Sequence, residues 1–287
     1  MSGSTTRLAI NFFEQRLFYA AHTPGAGPLL SRIGSHEFTF SIADAFRAGE
    51  TRQLDGVYSV LKGLQKELSA SSVQVATFPF HESWASLPKL VHDQSDEREA
   101  YLNLLMRGVQ RQHIDVEWHD LSNRDYKFMV LRDRRIMASF EKMGEIVAST
   151  AFNSEFEALS KWHQHRSAAG SYLTIGCHAG SLCVSSFLLG KLRGATIIRF
   201  ETYDDIPYLW AMTARHLKWM MGIHEEILFY GYKSAVLSDV LVNRLDRSAH
   251  IQVMDSLKTM GLHAEEQTYN FDLSQAFPSI LMALESS

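Results

Sequence analysis

The chain has few of the features that announce a mechanism. It carries only two cysteines, Cys177 and Cys183, in 287 residues. On a single strand they would stand roughly 20 Å apart, too far for a disulfide, so both read as buried free thiols. Only six prolines occur, and no Gly/Ser-rich stretch divides the chain. Two lobes, if present, are therefore intimately joined. No apolar run reaches the length of a membrane span. The N-terminus, MSGSTTRL, has no charged segment followed by an apolar one, so the expected compartment is the cytoplasm, without direct membrane insertion. The net charge is −4 and no basic block stands out, which argues against nucleic acid as a partner. No G-x-S-x-G elbow, P-loop or G-x-G-x-x-G turn is present. The histidine pairs His163/His165 and His113/His119 lack zinc-ligand spacing, so neither a metal nor a catalytic residue is expected. Cys177–His178 are adjacent and would face opposite sides of a strand.

What is present is 46% apolar residues in alternating periodicities. Residues 7–13 and 16–21 read as strands around a turn at Glu14–Gln15, followed by an exposed loop at 23–28 (TPGAGP). Phe38, Phe40 and Ile42 alternate, which predicts a third strand over 36–42. Leu54, Val57, Leu61, Leu64 and Leu68 follow the helical period and predict a helix over 53–68. A strand over 73–79 ends at Pro79. Residues 80–125 change character and read as a small insertion, with a helix over 96–111 capped by Asp96. A strand over 125–133 and helices over 134–147 and 155–165 follow. The second half repeats this logic. Strands are predicted over 171–177, 180–188 and 192–201, a helix over 205–220 and a strand over 225–231. A helix over 234–245, a strand over 250–257 and a helix over 275–286 complete it. Each half opens on adjacent strands and then alternates helix with strand, which suggests mixed sheets. Trp210, Trp219, Met220 and Met221 mark the 205–221 segment as core with a candidate partner face. Trp84, Leu87 and Leu90 mark a second candidate surface.

Three local patterns carry a resemblance. Asn11-Phe12-Phe13-Glu14 closes the first strand, LTIGCHAGSL runs over 173–182, and LFYGYKSA runs over 228–235. Order and motifs together resemble the actin-like ATPase superfamily, in particular the group of FtsA, PilM and the cytoplasmic part of GspL. The resemblance implies a two-lobed, ribonuclease H-like α/β fold with mixed sheets flanked by helices. The lobes would be residues 1–168, with the inserted subdomain at about 80–125, and residues 169–287.

The resemblance also implies a nucleotide site between the lobes, with degraded motifs. Asn11 and Thr174 stand where the family has metal-facing aspartates. Phe13 and Tyr232 stand where it has glycines. If a site is retained, it is formed by Asn11, Phe13, Thr174, Gly176, Cys177, His178, Gly180, Ser181, Gly231 and Tyr232, and its ligand is ATP or ADP. Mg²⁺ favours carboxylate oxygen, and phosphoryl transfer depends on metal positioning, so hydrolysis is not expected. The implied function is a non-catalytic scaffold or assembly protein acting through protein contacts, as a homodimer or with another protein, in an envelope-associated or pilus-like machine. The alternative is a nucleotide-responsive switch or weak ATPase.

Overall fold

Strict period-2 alternation builds the first sheet. In β1 (Thr6–Phe13), Leu8, Ile10 and Phe12 face one hydrophobic cluster, while Ala9 and Phe13 face another. The computed structural model describes residues 6–23, 29–105, 110–165, 170–264 and 270–284. Most of the loop expected at 23–28, residues 106–109 of the helix expected over 96–111 and the end of the helix expected over 275–286 lie outside these residues; Gln110 is extended and Arg111 opens a 3-10 turn instead of ending that helix.

β1 pairs antiparallel with β2 (Arg16–His22), and β2 with β3 (Leu29–Glu37). The third strand thus precedes the segment expected. Phe38 and Ile42 donate backbone hydrogen bonds to the carbonyls of Gln15 and Glu14, so 38–42 folds over the first turn instead of extending the sheet. Ser41 then caps α1 (Ile42–Ala48) through the Asp44 amide, making Ile42 the first helical residue. α2 (Thr51–Glu67) follows as the periodicity predicts, and β4 (Ala70–Ala76) starts and ends three residues before the strand expected over 73–79, with Pro79 opening a 3-10 turn.

Next comes a separate three-stranded sheet. β5 (Glu82–Pro88) is followed by α3 (Lys89–Asp93) and α4 (Ser95–Leu105), then β6 (Ile114–Asp120) and β7 (Tyr126–Asp133). Its order is β5-β7-β6, so the strand beyond residue 125 is its centre. Asp96 lies inside the first turn of α4, which begins at Ser95. Trp84 and Leu87 are core residues, whereas Leu90 is exposed. Buried Glu82 ties this sheet to the rest. It accepts hydrogen bonds from Thr77 Oγ1 (2.6 Å), Trp84 Nε1 (2.6 Å), Arg132 Nε (2.7 Å) and Ser154 Oγ (2.9 Å).

α5 (Arg134–Ile146) leads to β8 (Thr150–Asn153), a short strand the sequence reading did not assign. A capping box between Ser154 and Glu157 opens α6 (Glu155–Ser160), and α7 (Trp162–His165) follows. The second sheet contains β9 (Ser171–His178), β10 (Ser181–Leu188) and β11 (Lys191–Arg199), then β12 (Glu226–Gly231) and β13 (His250–Val253). α8 (Ile206–His216) and α9 (Ser234–Leu241) cover its outer face. α10 (Leu257–Met260), β14 (His263–Ala264) and α11 (Phe277–Ala283) finish the chain.

The sheet orders are β14-β3-β2-β1-β4-β8 and β11-β10-β9-β12-β13. Each has three antiparallel strands followed by parallel ones. The halves therefore share one topology. The last segment crosses back: β14 pairs with β3, and α11 packs against residues of β1 and β2. One cluster joins the inner faces of both large sheets, with Phe156, Trp162 and most of α11 between them.

Candidate functional site

The two equivalent hairpin turns define the site. β1 ends at Phe13 and β9 at His178, and each turn has two residues before its partner strand begins. Counting back from the strand ends, Asn11 corresponds to Gly176, two places beyond Thr174. That register shift explains where each expected residue falls.

Asn11 is buried, and its side chain is engaged in packing. Its Oδ1 accepts the Ser279 amide at 3.3 Å, and its Nδ2 donates to the Gln275 carbonyl at 2.9 Å. It thus caps the start of α11. Thr174 is also buried, and its hydroxyl donates to the Ser185 carbonyl within the sheet. Cys177 faces the outer cluster beside Tyr203, with Sγ 3.3 Å from Oη. Burial raises the pKa of this thiol.

The glycines have local reasons. A Cβ on Gly176 would lie 2.2 Å from the Tyr230 ring, which crosses the strand there. Gly231 has φ +88°, and a Cβ would meet the Cys177 carbonyl at 2.3 Å. The Gly180 carbonyl accepts the Phe200 amide, and Ser181 is buried, its hydroxyl without a hydrogen bond among the described residues.

Between the turns, aromatic rings meet. Phe13 stacks on His178 with centroids 5.5 Å apart and planes at 23°, and Tyr232 closes the other side at 6.0 Å. Lys233 Nζ sits 5.1 Å over the Tyr232 ring. Beneath lies a polar network that the sequence reading missed. Glu155 is 2% exposed; its Oε1 accepts the Tyr230 hydroxyl and lies 3.0 Å from His178 Nε2. Burial, reinforced by Glu155, holds the Tyr230 hydroxyl well above the ordinary phenol pKa. Glu155 and Glu157 look alike in sequence, as acidic residues in a first helical turn, so no signal there separates the buried one from the capping one.

A cavity of about 310 Å³ remains beside the stack, with Glu14 and Asp44 on its wall. Two groups of metal-type ligands come from residues other than the histidine pairs noted above. Glu155, His178 and Cys183 have ligand atoms within 4.8 Å of one another, as do Glu117, His119 and Glu157. In the first group Glu155 already accepts two hydrogen bonds, and burial pushes the Cys183 thiol well up. A metal would require its thiolate.

No family model and no curated protein matches the chain. Solved structures do. The chain is similar to one from a PilM–PilN type IV pilus biogenesis complex, with TM-score 0.63 and 10% identity over 98% of this chain and 99% of that one. It is similar to the cytoplasmic domain of EpsL, an inner-membrane component of the Vibrio cholerae type II secretion system, with TM-score 0.54 and 10% identity over 99% and 97%. It is also similar to a Bacteroides thetaiotaomicron protein with an actin-like ATPase fold and unknown function, with TM-score 0.53 and 12% identity over 99% and 97%. The chain therefore has the two-lobed actin-like ATPase fold. Among the described residues, no helix is long and apolar enough to cross a membrane.

Proposed function

We propose that this protein is a non-catalytic actin-like scaffold that works through protein contacts, in the cytoplasmic part of an envelope-associated or pilus-like assembly. The observation that carries this reading is the Phe13–His178–Tyr232 stack between the two hairpin turns. Phosphates in an actin-like site need backbone approach and a metal held through carboxylates. Here side-chain rings stand at the turns, and the Asn11 amide is engaged by α11. The remaining cavity has acidic residues on its wall, which disfavours an anion. Assembly roles of PilM–PilN and EpsL suggest the kind of machine. Tyr208 and Met212, one turn apart on α8, are exposed and offer a partner-facing surface. Trp210 between them is core.

The lobes of this reading remain 1–168 and 169–287 with the insertion at about 80–125, amended at two points. The inserted sheet continues to Asp133, and β14 and α11 rejoin the first lobe.

A second reading, a nucleotide-responsive switch or weak ATPase, draws support from the cavity and from Lys233, which lies over the Tyr232 ring that meets Phe13 of the cavity wall. Thermal unfolding with Mg²⁺ and ATP or ADP up to millimolar concentration separates the two. The scaffold reading expects no saturating rise in Tm and no Mg²⁺-dependent hydrolysis. A saturating rise that disappears in Lys233→Glu supports the switch, and turnover overturns the scaffold.

A further inference from the structure

A larger concavity lies away from the hairpin turns, where the three-stranded sheet meets the second large sheet. Its volume is about 640 Å³, within the range of roughly 300–1,000 Å³ typical of small-molecule sites. Its floor is apolar: Leu121, Phe156, Phe187 and Leu192 are all buried. Its rim is cationic. Lys89 opens α3, Arg124 sits in the β6–β7 turn, and Lys191 opens β11. None of these three has an ion-pair partner within 4 Å among the described residues. Lys127 and Lys161 add two more cations, Lys127 being paired with Asp120. Asp120 and Glu157 are the acidic residues of the wall.

Separate elements thus bring like charges around one hollow. Each pair repels, and an anion bound among them relieves that repulsion. The geometry points to a binding site for a small amphiphilic phosphate ester, with its apolar body on the Phe156–Phe187 floor and its phosphate among Lys89, Arg124 and Lys191. His119 on the same wall has an Nε2 that makes no hydrogen bond among the described residues, 3.4 Å from Glu117 Oε1. A ligand there would touch the inserted sheet, α6 and the second sheet together. The inserted sheet and the second sheet already meet at the Ser122 amide, which donates to the Leu192 carbonyl at 2.7 Å.

Isothermal titration calorimetry with 1-naphthyl phosphate on the full chain tests the site, beside 1-naphthol and inorganic phosphate as its two halves. The expected result is one-to-one binding tighter than for either half, and weakened about tenfold by Lys89→Glu, Arg124→Glu or Lys191→Glu. These surface reversals leave the fold intact, which circular dichroism checks. Glu14→Gln, an exposed change on the wall of the cavity beside the turns, leaves the affinity unchanged, which distinguishes this site from that cavity. Equal binding of 1-naphthol would reduce the site to an apolar patch, and indifference to all three reversals would remove it. Absence of any heat with naphthyl phosphate at millimolar concentration would also overturn it.

Discussion

At the junction of the two hairpin turns, rings stack and one oxygen of a buried carboxylate meets both Tyr230 and His178. At the junction of the inserted sheet with the second sheet, Lys89, Arg124 and Lys191, without ion-pair partners among the described residues, surround an open hollow. The first region is where the resemblance places a nucleotide, and its Glu155, Tyr230 and His178 groups are bonded to one another. The second has no counterpart in the motifs, and it keeps groups that lack partners. The contrast teaches that satisfied polarity marks structure, whereas convergent unsatisfied polarity marks a site.

Phe13→Ala tests that contrast most severely. Removing a ring that is 7% exposed is expected to destabilise the protein by about 3 kcal/mol through lost burial and a cavity. Chemical denaturation measures this. A gain of nucleotide-dependent stabilisation in that variant would show that the stack alone closed the site. Glu155→Ala comes next, at roughly 2–3 kcal/mol, because it leaves Tyr230 and His178 buried without their acceptor. A change below half a kilocalorie would mean that water replaces the carboxylate, making the network dispensable. Asn11→Ala should cost about 1–2 kcal/mol through loss of the α11 cap. Hydrogen exchange in 277–283 would rise selectively, and unchanged protection there would argue that the cap is incidental.

The smallest effect belongs to the open hollow. Burial raises the Glu157 carboxyl from its ordinary value to about 7, with the Ser154 amide acting the other way. His119 and Glu117 of β6, Arg132 of β7 and Glu82 of β5 face it. Between about pH 4.5 and 7 the folded chain holds this proton and the unfolded chain releases it, so stability falls as pH rises. Glu157→Gln should flatten that part of the stability–pH curve, by less than about 2 kcal/mol across the window, since the side chain is partly exposed and the Gln amide cannot accept as the carboxylate does. An unaltered slope would place the titration elsewhere.

Much of the fold was legible in the sequence because burial imposes periodicity. β1, β2, α2, α5 and the β9–β11 meander appear nearly where alternation or helical spacing puts them. The error at 36–42 is instructive. Phe38, Phe40 and Ile42 alternate like a strand, yet the Ser41 cap and hydrogen bonds to the first turn determine the path. β8 is four residues long, too short for a periodic signal. At the site, the resemblance singled out Asn11, Phe13, Thr174 and Tyr232, but the contacts these side chains make were not readable. Thr174 aligned by motif, whereas counting from the strand ends makes Gly176 the equivalent of Asn11.

The sequence by itself determined that the chain forms two halves of similar strand–helix order, and which residues stand where the resemblance expects aspartates and glycines. That information is local, carried by the spacing of apolar side chains and by the identity of a few positions. Only the tertiary structure decided what those replacements do. Asn11 holds a helix that begins 266 residues later, Phe13 meets His178 across the turns, and Lys89, Arg124 and Lys191 surround one hollow. Such relations join residues far apart in the chain, so they exist only once the two sheets have packed and the last helix has crossed back between them.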